Sequence, residues 1–500
     1  MIIIQKDRCK ACSLCVKNCP TGAVKIIDKL AVVQENCVSC GVCVRVCPFQ
    51  AIARVAEIAA GSASCRSCPV QCEIKPGFEG ACRRYSNING TLVRNRDLVL
   101  ESQRARTADR AIPDRPLTTG AGAGTEYPCC RPAPHIVGDT VDGIDVVTVV
   151  TEAPLSYSGI KIKIDANQHI GEEGAKIFRD GAVVGMVEPE EYGSKMLYIG
   201  GASILSGKNG FAAARTIVEL ANEERVTLQV EKGSTLELQV GCVPVIDGVA
   251  EKKMRVGCGS ATVGMFARTM SEAVEEVIVL DHHIIGLLSE HRAGEEVGMR
   301  WSGVVPNGRK STRGRYFGDP GHGWGGTHIE HPLEAVKSVD MAVAQAGMKI
   351  LVTETTGQKG ALLQVQPDGS VAEIPLTAAA KAIVDLIADN CEEARVSAVY
   401  VGGTGGSARA GVTTFPIKLS RAVHAGEAKL TIGGAETFIL PGGGINFLVD
   451  VEQVAPKAFT WVPTPATVAP VEYTMTRNKY AEIGGHVDAI KPLPSLRQGK

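Results

Sequence analysis

The feature that most constrains this chain is a cysteine pattern written twice within its first 48 residues. Cys9, Cys12, Cys15 and Cys19, followed by Pro20, return 28 positions later as Cys37, Cys40, Cys43 and Cys47, followed by Pro48. Each run reads C-x2-C-x2-C-x3-C-P. In that arrangement three thiolates of one run hold a four-iron cube, and the fourth crosses to the other cube. The spacing assigns Cys9, Cys12, Cys15 and Cys47 to one [4Fe–4S] cluster and Cys37, Cys40, Cys43 and Cys19 to a second. The proline after each fourth cysteine stops a short helix and turns the chain back. A zinc site uses four ligands in two pairs rather than two matched sets of four.

The segments between the cysteines repeat as well. Short strands are expected at Ile2–Ile4 and Ala31–Val33, and again at Val24–Ile27 and Ala51–Val55, with a cysteine loop and a short helix in each half. Residues 1–60 thus read as a ferredoxin-like module with two clusters. Residues 61–93 carry Cys65, Cys68, Cys72 and Cys82 in a C-x2-C-x3-C-x9-C pattern. Such an all-thiolate set suits a third [4Fe–4S] cluster or a zinc ion. Gly77 and Gly80 let the chain fold back to bring in Cys82. Residues 94–135 read as a linker arm, with Arg94, Arg96, Arg104, Arg106, Arg110 and Arg115 followed by glycines 120–124 and Pro128, Pro132 and Pro134. Cys129 and Cys130 are adjacent there, which is awkward for chelating one metal.

The 500 residues exceed one hydrophobic core. A hydrophobic share of 44% and a charged share of 21% are those of a soluble protein. No run of about 18 apolar residues offers a membrane span. Met1-Ile-Ile-Ile4 meets Lys6, Asp7 and Arg8 too soon to form a signal-peptide core. The cytoplasm is the expected location, and its reducing conditions make the 17 cysteines metal ligands before disulfides. Residues 1–85 hold 12 Lys and Arg against 6 Asp and Glu, so within a net charge of −1 this stretch carries +6 and the remainder −7. A basic module steers an acidic redox partner toward it, although the excess also offsets the clusters' own negative charge. Aromatic residues make up only 4% and do not interleave with a basic patch, so no nucleic-acid surface is expected.

Residues 136–500 read as a large catalytic body with room for two subdomains. Strands are expected at 141–152, 160–164, 226–230, 236–240, 277–280, 350–353 and 396–401, and helices at 209–223, 257–270 and 377–390. The fold class is α+β, a ferredoxin-like module followed by an α/β-type body. Glycine-rich turns follow apparent strands at 200–203, 257–262, 402–407, 433–434 and 442–444. Such turns either converge N–H groups on an anion or simply permit close backbone packing. The turn at 402 is followed by Arg409, which could pair with a carboxylate. Six of the ten histidines lie between 282 and 331, namely His282, His283, His291, His322, His328 and His331. They suit proton donation or substrate binding, a zinc or non-haem iron site on His322, His328 and His331, or an ordinary surface loop.

With the third cysteine set, Pro154-Leu-Ser-Tyr157, Gly257-Cys-Gly-Ser-Ala-Thr262, Tyr400-Val-Gly-Gly-Thr-Gly-Gly-Ser-Ala-Arg409 and Leu440-Pro-Gly-Gly-Gly-Ile-Asn446, the chain resembles the 6-hydroxynicotinate reductases. The resemblance implies an oxidoreductase acting on a CH–CH bond. Its implied reaction is reduction of 6-hydroxynicotinate, as the 6-oxo tautomer, to 1,4,5,6-tetrahydro-6-oxonicotinate by reduced ferredoxin in nicotinate degradation. It admits a flavin, although Gly259-Ser-Ala-Thr262 departs from the Asp-x-x-Ser/Thr-Gly-Ala-Thr attachment site by lacking the acid and exchanging glycine and serine. For such a small aromatic carboxylate, Arg409 is the expected carboxylate anchor and His322 or His328 the donor to the ring oxygen. A homo-oligomer is expected. An electron-transfer subunit of a larger complex and an iron–sulfur lyase are the alternatives.

Overall fold

The computed structural model describes residues 1–493 apart from 56–57, 68–69, 96–130, 156, 192, 283–284, 313–314, 318–319, 404–408, 410, 440–441, 443–444 and 463–465. Most of the expected linker arm, with Cys129 and Cys130, therefore lies outside the described residues, as does Cys68.

The N-terminal module is built from two matching halves. Ile2–Ile4 pairs antiparallel with Ile52–Arg54, and Val24–Ile27 pairs with Leu30–Val33 across a turn at Asp28 and Lys29. The short helices Leu14–Lys17 and Val42–Val46 each start from a left-handed residue, Ser13 (φ 64) and Gly41 (φ 80). Ala11 (φ 49) and Ser39 (φ 51) repeat the correspondence one step earlier. Both cysteine loops therefore follow the same path, because the same reversal is needed on either side of the middle cysteine of each C-x2-C-x2-C. Ile2, Val24, Ala31, Ala51 and Ile52 close the core around Cys15 and Cys43.

The third cysteine segment docks on the body. Two small hairpins, Ala63–Ser64 with Glu73–Ile74 and Tyr85–Ile88 with Thr91–Arg94, share one apolar core with Val38 of the ferredoxin module and with Ala466 and Val468 of the body. Arg84, only 2% exposed, donates to the carbonyls of Ala458 and, at 3.5 Å, Val468. Two further arginine–carbonyl bonds tie the parts together, Arg83 to Pro20 at 3.3 Å and Arg215 to Lys17 at 2.9 Å.

The body has two large sheets and a two-stranded one, Val304–Pro306 with Val336–Val339. The larger is barrel-like. It runs through His135–Val141, Ile144–Leu155, Ala466–Thr476, Ala428–Ile432, Ala435–Ile439, Asn446–Asp450, Val396–Gly403, Gly159–Ile164, Ser194–Gly200, Ala182–Glu191, Lys176–Arg179, Val226–Val230 and Thr235–Leu238, with every neighbouring pair antiparallel. The helices Gly210–Ala221 and Pro416–His424 bury Ala213, Ile217, Leu220, Leu419, Ala422 and Val423 in its core. The other large sheet has seven strands, with one parallel pair, Glu276–Leu280 beside Lys349–Glu354. Val277 and Val279 face the helices Gly259–Ala273 and Ala378–Asp389, while Ile278 and Leu280 face a second core. Burial on both faces explains why this strand is apolar without alternation.

The strand expected at 141–152 is Ile144–Leu155, and Val141 ends the partner strand of its hairpin. Asp142 (φ 52) and Gly143 (φ 78) both adopt left-handed backbone, which is the pairing a two-residue hairpin turn requires. Pairing in both large sheets is nearly all antiparallel, with Glu276–Leu280 beside Lys349–Glu354 a parallel exception, so the body is α+β rather than α/β.

Candidate electron path and ring site

Three cysteines of the doubled motif accept backbone hydrogen bonds at sulfur. Ala23 N–H donates to Cys19 Sγ at 3.1 Å, Ala31 N–H to Cys9 Sγ at 3.5 Å and Ala51 N–H to Cys47 Sγ at 3.4 Å. Backbone donors aimed at sulfur stabilise thiolate charge. Burial pushes the Cys40 thiol up to about 11, and the charges of Cys19 and Cys37 add to this. Burial pushes Cys43 up to about 12, with Cys40, Cys37 and Cys19 contributing. Cys15 is raised by burial and then by Cys12 and Cys9. Cys19 from the other run thus neighbours Cys40 and Cys43, and Cys15 of that run also neighbours Cys43. Thiols so crowded would stay protonated alone, and only cationic irons would hold them as thiolates. The donor set fits iron–sulfur clusters.

Cys65, Cys72 and Cys82 line one pocket with Val70, Ile74, Tyr85 and Val468. Cys40 packs against the same core. Among the described residues, no three His, Cys, Asp or Glu side chains converge on a single-ion position. The thiolate set of this segment suits a four-iron cube, which takes each thiolate at a separate iron, or a zinc ion.

One residue before Val468, Thr467 enters a buried hydroxyl chain. Its Oγ1 lies 2.6 Å from Tyr400 Oη and 3.0 Å from Ser158 Oγ, and Ser158 donates to Leu155 O at 2.7 Å. Here the strand ends carrying several sequence motifs meet. Gly159 lies opposite both Gly200 and Val401, and Gly403 lies opposite Asn446. The 154–157, 200–203, 402–409 and 440–446 motifs therefore share one end of the barrel-like sheet. Several of these glycines are steric. A Cβ on Gly159 would fall 2.4 Å from the Tyr198 ring, and one on Gly402 would fall 2.6 Å from Phe447. Residues 404–408 of the turn lie outside the described residues. Arg409 follows, and its guanidinium donates to Ser420 Oγ and, at 3.5 Å, to Pro416 O.

The turn at 257–262 is not an anion cradle. Gly259 N–H, at the start of its helix, already donates to Asp281 Oδ2 at 3.2 Å. Thr262 is fully buried, and its hydroxyl donates to Cys258 O at 3.1 Å, so it does not fit as a covalent flavin attachment point. Ser260 lies 2.9 Å from His291 Nε2, but His291 Nδ1 accepts from Ala293 N–H at 3.1 Å. A neutral ring then carries its proton on Nε2 and donates to the serine, which leaves no base to activate that hydroxyl.

Gln168 Nε2 contacts His322 Nδ1 at 2.8 Å, beyond the Ile164 end of the Gly159–Ile164 strand. The chain leaves toward Arg409 from the Gly159 end. Those ends are about 17 Å apart at the usual rise per residue. His328 and His331 are exposed, and the alternative of a single metal on His322, His328 and His331 lacks the necessary convergence.

Near that far end lies a buried ionic cluster that sequence reasoning missed apart from His282. Lys195 contacts Glu190 and His282 Nδ1, the latter at 2.9 Å, and Glu190 Oε1 lies 3.0 Å from His282 Nε2. Beside it Arg255 pairs with Asp281 at 2.8 Å. Burial lowers Lys195 to about 8 despite Glu190. The only signal in the sequence would have been a lysine inside an otherwise apolar strand, Lys195-Met-Leu-Tyr-Ile199.

Residues 8–51 match the 4Fe-4S dicluster domain family. A 6-hydroxynicotinate reductase from Eubacterium barkeri is 58% identical over 500 residues, spanning 99% of this chain and 100% of that relative. No solved structure matches the chain. Among the described residues no helix is long and apolar enough to cross a membrane. Dicluster module and body together define the class, an iron–sulfur oxidoreductase of α+β fold. The chain belongs to the 6-hydroxynicotinate reductase family.

Proposed function

We propose that this protein reduces 6-hydroxynicotinate to 1,4,5,6-tetrahydro-6-oxonicotinate in nicotinate degradation, in the cytoplasm and as a homo-oligomer. Reduced ferredoxin is the donor. Two electrons and two protons add across C4 and C5 of the 6-oxo tautomer, and two ferredoxins are oxidised. Bound clusters supply one-electron transfer at low potential, which partial loss of ring aromaticity requires. Cys9, Cys12, Cys15 and Cys47 hold the first and Cys37, Cys40, Cys43 and Cys19 the second. Cys65, Cys68, Cys72 and Cys82 hold a third. Any flavin is bound without attachment at Thr262.

The observation that carries this reading is the wall shared by the Cys65–Cys72–Cys82 pocket and the body. Val468 lines the pocket, and Thr467 beside it joins Tyr400 and Ser158 beneath the converging glycine turns. Electrons pass from the cysteine sets across this wall to the ring, which favours a self-contained reductase over an electron-transfer subunit. The ring binds at this end, where Arg409 anchors its carboxylate. The test is anaerobic. Iron and sulfide are assayed, and the optical spectrum is followed as reduced ferredoxin and 6-hydroxynicotinate are added together. About twelve irons per chain and substrate-dependent reoxidation support the reading. Reduction without discharge into this substrate overturns the named reaction.

A further inference from the structure

The three cysteine sets are not equivalent in their distance from the body. Cys40 packs on the pocket of Cys65, Cys72 and Cys82, which itself abuts Val468. Cys9, Cys15 and Cys47 belong to the core of the ferredoxin module, which Cys19, Cys37 and Cys43 share. Among the described cysteines, Cys12 alone is exposed. Lys6, Arg8 and Lys10 stand exposed next to it in sequence, with Asp7 the one acid from residue 1 to residue 27. Leu14 and Phe49, 40% and 43% exposed, add apolar surface beside Cys12 and Cys47. A basic rim around a small apolar centre is the composition of a transient electron-transfer contact.

We propose that this Cys12 face docks a small acidic one-electron carrier protein. Lys6, Arg8 and Lys10 pair with its carboxylates, and Leu14 and Phe49 make the central contact. The inference rests on the reading of Cys9–Cys47 as cluster ligands. One electron leaves each carrier, which is oxidised, and two carriers serve each ring reduced. A second groove reaches the cysteine sets at Cys37, beside Ile2, Val33 and Ile58, but Glu35 and Glu73 face it together with Lys75. That charge balance does not favour an acidic partner.

The experiment measures binding as well as turnover. An acidic [2Fe–2S] ferredoxin is titrated onto the intact holoprotein at low and at physiological salt, for wild type, for K6E/R8E/K10E and for the milder K10A. Wild-type Kd is expected to rise about tenfold as salt screens the pairs. The triple variant is expected to bind about tenfold or more weakly at low salt and to lose the salt dependence. Its iron content, and its rate with a small viologen dye that needs no docking, stay at wild-type values. K10A is expected to fall between the two, and it keeps the test open if the triple variant loses iron. Unchanged Kd in both variants overturns the proposal. So does a changed oligomeric state with unchanged carrier binding, which would make this face an interface between copies. A dye-driven assay that never consumes 6-hydroxynicotinate removes the substrate reading, and the binding result still stands or falls by itself.

Discussion

Thr467 Oγ1 lies 2.6 Å from Tyr400 Oη in the fully buried interior of the barrel-like sheet. The two residues are neighbours only because Leu155 pairs with Thr467 on one strand while Gly159 pairs with Val401 on another. Tyr400→Phe removes one hydroxyl and leaves Thr467 bonded to Ser158. Stability is expected to fall by about 1 kcal/mol. Iron content should be unchanged, and ring reduction should fall more than dye-driven cluster reduction. Chemical unfolding and single-turnover optical traces check this, and equal loss in both rates would deny the chain any part in the ring site.

Arg84 fixes the third cysteine segment to the body through two carbonyls. Arg84→Met keeps the apolar stem and leaves those carbonyls without their donor, at about 1–3 kcal/mol for each buried group. The variant is expected to unfold at lower denaturant. Its reduced clusters should discharge into substrate more slowly at unchanged iron content. Wild-type discharge would show that the docking geometry does not matter for transfer.

Crossed ligation predicts a pattern across cysteine variants. Cys19→Ser should resemble Cys43→Ser, and Cys47→Ser should resemble Cys9→Ser, in the electron paramagnetic resonance signal that is lost. Pairing of Cys19→Ser with Cys9→Ser would show uncrossed sets.

Lys195 supplies a pH dependence. Its value is lowered from 10.5 to about 8 because burial disfavours the charged form. Between those values the unfolded chain holds the proton and the folded chain does not, so stability rises as pH increases across that window. The urea midpoint should climb from pH 8 toward pH 10, and Lys195→Met should flatten that climb. A wild-type midpoint that falls instead would mean that Lys195 stays charged beside Glu190.

Arg409→Ala should raise KM for 6-hydroxynicotinate about tenfold, which is about 1.4 kcal/mol, with dye-driven cluster reduction unchanged. Unaltered KM would leave Arg409 to its contacts with Ser420 and Pro416.

Much of this protein was legible in the chain because the relevant physics is local. The doubled cysteine spacing, the hairpin at 226–240 turned at Gly233, and the helices at 210–221 and 378–389 depend on neighbours a few residues away. The same local view could not find Lys195 beside His282, because that relation depends on register between distant strands. By itself the sequence determined the cluster ligands it offers, the short elements and the family. The tertiary structure alone decided which glycine turns share one end of a sheet and which thiols abut Val468. Antiparallel pairing joins residues hundreds of positions apart, and nothing within either strand records its partner.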